Sequence, residues 1–173
     1  MNSFQHYFQL IMSIGILLTL VTIILLFIEI RKLKDKIQEK IELNDESKRL
    51  KLQALERLTL FADRAGLQNL VARAEIEGKG AASLHYLLIN CIKSEFEYNT
   101  TQQLYVNPEI WNAVTRLKDQ NIYIINQLAA PLPPQATAMD LSKRLLEYSL
   151  QENAELDHIV LDALRYEAGK IIN

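Results

Sequence analysis

Few positions in this chain combine residue types that could do chemistry. Glu155, His158 and Asp162 fall at i, i+3 and i+7, which places all three on one face of a helix. Glu-x-x-His is a unit from which helical bundles build di-metal carboxylate sites, but such sites need two of these units and further inward carboxylates. No second Glu-x-x-His occurs in the sequence. The trio therefore reads first as a solvated face, with a small enzymatic or metal-binding site as the alternative. His85 and Cys91 lie six residues apart and on different faces of a helix, whereas a Cys–His nucleophilic pair needs hydrogen-bond contact. Cys91, among Leu87, Leu88 and Ile92, reads as a buried, inert thiol. Gly78-Lys79-Gly80 lacks the residue order of a phosphate-binding loop and reads as a linker.

The densest polar group is Glu95, Glu97, Tyr98, Asn99, Gln102, Gln103 and Tyr105, together with Thr100 and Thr101 and beside Phe96. It has two readings. Side chains of these types cap the carbonyls and amides of a helix end, or they form a polar recognition surface. No dinucleotide-binding glycine motif, nucleophile elbow, metalloprotease helix or kinase signature is present. No cofactor and no catalytic residue is assigned, and the expectation is a protein that is not an enzyme.

The elements that must carry these residues are helical. The chain has 173 residues, with five glycines and four prolines, which leaves little room for a turn-rich β fold. Leu, Ala, Glu, Lys and Gln are abundant and favour helix. A net charge of −2 gives no basic excess that would point to nucleic acid. One cysteine excludes an internal disulfide and a cysteine-based zinc site.

Charge is unevenly placed. Residues 1–28 hold no Asp, Glu, Lys or Arg. An apolar run begins at Leu10, passes Gly15 and Thr19 and ends at Ile28. At ~1.5 Å per residue a helix of this length matches the roughly 30 Å hydrocarbon layer, so the sequence predicts a transmembrane helix. Gly15 and Thr19 form a small-xxx-small pair of the type that lets membrane helices approach. Arg31, Lys32, Lys34 and Lys36 crowd the far end. The positive-inside rule then places the N-terminus outside and the rest of the chain in the cytoplasm of a bacterial inner membrane, with the lipid bilayer as one partner.

Beyond the span, Ile30, Leu33, Ile37 and Asn44 keep a heptad-like spacing with Ile41 beside it, which suggests a short coiled-coil stalk or a solvated helix. Leu50, Ala54, Leu55, Leu58, Phe61, Ala62 and Ala65 form a core-facing stripe, while Leu52 and Leu60 share another face and imply a second packing contact, within the chain or with a partner. Gly66 fits a helix end. Helices are expected over 81–98 and from Asn107-Pro108-Glu109 to Ala129, the latter with an N-cap Asn and Pro at the first position. Residues 130–136, with three prolines in four positions, read as a linker. Thr137 and Asp140 suit a capping box. Leu156, Ile159, Val160, Ala163 and Leu164 then form the last apolar face, on one helix or on the second of two. The expected fold is all-α: an anchor over 1–30, a charged stalk over 31–47, a helical core over 48–129, the linker over 130–136, and a C-terminal helix or hairpin over 137–173.

Two blocks carry a resemblance. LQALERLTLFADRAG at residues 52–66 and EFEYNTTQQLYVNPEIWNAVTRLKD at residues 95–119 resemble an uncharacterised family of small membrane-anchored Bacteroidota proteins, with one N-terminal span and a helical domain. The resemblance covers most of the chain and implies this layout and an inner-membrane address. It implies no activity, cofactor or catalytic residue. The leading expectation is a membrane-tethered, non-enzymatic interaction or scaffold module with a protein partner or a second copy of itself. A small enzyme using His158, Asp162 and Glu155, and a subunit of a larger complex contacting through its membrane helix, are the alternatives.

Overall fold

A computed structural model describes residues 2–150 and 156–172. Six α-helices follow one another: α1 (Asn2–Ala65), α2 (Leu67–Ala72), α3 (Ala81–Tyr98), α4 (Pro108–Ala129), α5 (Ala138–Ser149) and α6 (Leu156–Ile172), with a 3-10 turn over Thr100–Leu104 between α3 and α4. There is no strand among the described residues, only an isolated bridge between Gly80 and Thr137. The chain divides into two compact units, Met1–Ser47 and Lys48–Asn173.

The first unit is helical throughout its described residues. Side chains are described at Phe8, Leu10, Met12 and Gly15 and from Leu17 onward, and all of those in this unit are exposed. Here the expectation of a membrane span is corrected. Among the described residues, no helix is long and apolar enough to cross a membrane. Glu29, Arg31, Lys32, Lys34 and Lys36 follow Ile28 at once and load the next turns with charge. The transmembrane assignment of Leu10, Gly15, Thr19 and Ile28 is thereby overturned, and the flanking cations no longer flank a span.

The second unit holds two apolar clusters. One joins Leu55, Leu58, Phe61 and Ala62 of α1 to Ile110, Val114 and Leu117 of α4 and to Val160, Leu161 and Leu164 of α6. The other joins Leu70 and Val71 of α2, Leu84, Leu88 and Ile92 of α3, Ile124 and Ile125 of α4, and Leu141 and Leu145 of α5. Both follow from i, i+3, i+4, i+7 spacing, which turns one stripe of each helix inward. The stripe of α6 is rotated from expectation: Ile159 is 61% exposed and Leu161 is buried in its place. Leu50 is half-buried.

Local chemistry sets the helix ends. Asn107 Oδ1 accepts from the Ile110 amide at 2.8 Å, with Pro108 next in line. Thr137 and Asp140 form the capping box, the carboxylate accepting from the Thr137 amide at 2.8 Å and from its hydroxyl at 2.7 Å. These bonds hold the Asp140 carboxyl below its ordinary pKa, with Arg144 and Lys143 adding to the effect. The first amides of α3 and α5 are satisfied reciprocally: Ala81 N donates to Ala136 O and Ala138 N donates to Lys79 O, each at 2.9 Å. At the end of α1, the buried Asn121 amide of α4 donates to Ala65 O at 2.7 Å, occupying a carbonyl that has no partner within the helix. Gly66 follows. A Cβ there would fall 2.8 Å from Asp157 Oδ2 and 3.3 Å from Asp63 O, so a larger residue would push the Asp157 side chain of α6 aside.

Candidate functional site

The end of α1 within the second unit and the end of α3 enclose a half-open groove of about 380 Å³. Helical spacing builds one wall: Arg57, Leu60 and Arg64 stand at i, i+3 and i+7, on the side away from the buried stripe. Ser94, Glu95, Tyr98 and Asn99 build the other wall, and the buried Phe61 forms part of the lining. Leu60 is 55% and Tyr98 73% exposed. The second packing contact expected of Leu60 is therefore not made within the described chain.

Charge in the groove is arranged around Glu95. Its carboxylate lies 3.2 Å from Arg73 Nη1 and 3.9 Å from Arg64 Nε. Arg73 also donates to Arg64 O at 2.6 Å and to Asn69 O at 3.3 Å, which pins α2 to the end of α1. The Arg57 guanidinium sits 5.6 Å from the centre of the Tyr98 ring. The groove thus presents an aliphatic and an aromatic side chain beside two partly exposed guanidinium groups. It can bind; it contains no pairing of nucleophile and base. Behind it, Phe96 stacks on Trp111 (centroids 5.2 Å apart), meets Phe61 edge-on at 5.7 Å and carries Lys118 Nζ over its face at 4.7 Å. This ring stack fixes α3 against α1 and α4 and so sets the groove's width.

A family model matches residues 2–171. The chain belongs to the DUF7935 family of unknown function. No curated protein and no solved structure matches it.

In this DUF7935 chain, the polar run singled out in the sequence is divided among several places. Asn99 is buried and its side-chain amide donates to Glu95 O at 2.8 Å, while Thr100 Oγ1 donates to Phe96 O at 3.3 Å, so both serve the carbonyls at the end of α3. Gln102 is buried too, with its amide nitrogen 3.3 Å from Thr101 Oγ1. Glu95 and Tyr98 belong to the groove. Glu97 and Gln103 are exposed outside it. Tyr105 lines a separate hollow of about 300 Å³ with Lys51, Leu104, Asn107 and Glu167. There, a hydrogen bond from Lys170 holds the Glu167 carboxyl below its ordinary pKa. The sequence reading missed Arg57, Arg64 and Arg73. The spacing of the first two with Leu60 was the available signal, whereas Arg73 reaches Glu95 across 22 residues and left none.

Among the described residues, the other candidates are not brought together. Glu155 lies outside the described residues. His158 and Asp162 are exposed, and Asp162 Oδ1 accepts from Arg165 Nη1 at 2.9 Å. Among the described residues, no three His, Cys, Asp or Glu side chains are grouped to hold a metal ion. His85 Nε2 lies 2.7 Å from Asn126 Oδ1, a contact that ties α3 to α4. Cys91 is half-buried rather than buried, beside Leu70, Arg73, Lys79 and Leu87 in a shallow hollow.

Proposed function

We infer that this DUF7935 member, from a bacterium of the Bacteroidota, is a non-enzymatic interaction module whose helical domain grips a segment of a partner protein. The observation that supports this reading is the groove between α1 and α3, in which Leu60 and Tyr98 stand exposed beside Arg57 and Arg64. Large apolar side chains that remain solvated next to guanidinium groups are the composition of interface centres, where aromatic residues and arginine are enriched. The complementary partner segment carries an apolar residue to cover Leu60 and a carboxylate to meet Arg57 or Arg64. Arginine suits that task because its planar fork binds carboxylate in two-point fashion.

Chemical crosslinking in cells followed by mass spectrometry tests this. Wild-type chain should capture a reproducible neighbour, with crosslinks to residues around the groove. Leu60→Glu and Tyr98→Ala, both at exposed positions, should lose that neighbour while the domain keeps its melting temperature. A neighbour retained by both variants would refute the groove as the docking site.

A further inference from the structure

We propose that residues 23–44 of α1 pair with the same residues of a second copy of this chain as a parallel, in-register, two-stranded coiled coil. This is independent of the groove between α1 and α3. With Ile30 placed at heptad position a, Ile23, Ile30 and Ile37 occupy successive a positions and Leu26 and Leu33 occupy the intervening d positions. All five are between 51% and 62% exposed in the single chain. From residue 29 to 46, every apolar residue (Ile30, Leu33, Ile37, Ile41, Leu43) falls at a, d, e or g. Every b, c and f position there is polar: Arg31, Lys32, Asp35, Gln38, Glu39, Glu42, Asp45 and Glu46. A helix solvated on all sides gives no reason for that division; a seam facing a partner does.

Three features select the occupant. β-branched residues at a with leucine at d favour two strands over three or four. Charge is complementary in the parallel orientation: each g position meets the e position five residues on in the other chain, which sets Glu29 opposite Lys34 twice per dimer. The seam closes at Asn44, an a-position asparagine that pairs with its own counterpart only when the two strands are parallel and in register. Lys40 at d ends the apolar stretch after Ile37, so the seam is short and its register is set by Glu29, Lys34 and Asn44.

Disulfide trapping in the full-length chain tests the proposal. In a Cys91→Ser background, which leaves no other thiol, Ile37→Cys places a cysteine at a and Asp35→Cys places one at f. A mild oxidant added to fresh lysate should link Ile37→Cys into a species of twice the 19.9 kDa chain at least tenfold faster than Asp35→Cys. Adding Glu29→Lys should slow that reaction several-fold, and adding Lys34→Glu to the same chain should restore it. Equal rates at 35 and 37, no dimer at either, or a linked species of another mass would overturn the proposal. A Glu29→Lys effect that Lys34→Glu fails to reverse would overturn the parallel register.

Discussion

Helix α4 serves both apolar clusters of residues 48–173, and the two are made of different materials. Its first half packs against α1 and α6 in a cluster that contains Phe61 and recruits Phe96 and Trp111, with Lys118 over a ring. Its second half packs against α2, α3 and α5 in a cluster whose buried members are all aliphatic. The aromatic cluster draws its specificity from ring geometry, since edge and stacked contacts constrain orientation as well as distance. The aliphatic cluster has no such contacts between its buried members, and its helices are registered instead by backbone bonds and a capping box at their starts. Between the two stands Asn121, the one buried polar side chain of α4, bonded to the last residue of α1.

The sharpest way to break this arrangement is to hollow out each cluster in turn. Leu117→Ala in the aromatic cluster and Leu145→Ala in the aliphatic one remove fully buried side chains. Each should cost about 2–5 kcal/mol in denaturant unfolding. Because α4 runs through both, tryptophan fluorescence from Trp111 and far-ultraviolet dichroism should report one midpoint for either variant. Separate midpoints would show that the clusters unfold independently.

Asn121→Ala comes next. It strands the Ala65 carbonyl in a buried place, and an unmet buried acceptor costs roughly 1–3 kcal/mol. Thermal melting should place this variant between the leucine variants and a surface change. Thr137→Ala removes a helix cap and should cost about 1 kcal/mol in the same thermal melt.

The smallest effect is in pH dependence. The Asp140 carboxyl titrates below its ordinary value in the folded chain, chiefly through the Thr137 hydroxyl and amide. Its contribution is present above the ordinary carboxylate pKa and is lost as pH falls through the lowered value. Between about pH 6 and about pH 3, wild type should therefore lose more melting temperature than Asp140→Asn does, and the two should converge in acid.

How much of this was legible depends on the reach of each interaction. The caps at Asn107 and Thr137 are complete within four residues, so the sequence displays them whole. The stripe of α1 over residues 54–65 follows from period alone. Period failed at α6, where Ile159 and Leu161 are equally apolar and only the orientation of the helix against α1 and α4 decides which is covered. It failed again at residues 10–28, where composition suggested a bilayer span that the described helix does not provide. The groove escaped notice because Arg73 and Glu95 meet only after α2 turns back on α1. The polar run from Glu95 to Tyr105 was conspicuous as a whole, but no sequence rule assigns Asn99 and Gln102 inward and Tyr98 outward.

The exchange of backbone bonds beside Gly80 and Thr137 has a dynamic corollary. The opening amides of α3 and α5 lean on carbonyls just ahead of one another, so neither helix can fray at its start without exposing the other. Deuterium should enter at Ala81 and Ala138 on a common clock, although more than fifty residues of chain separate them.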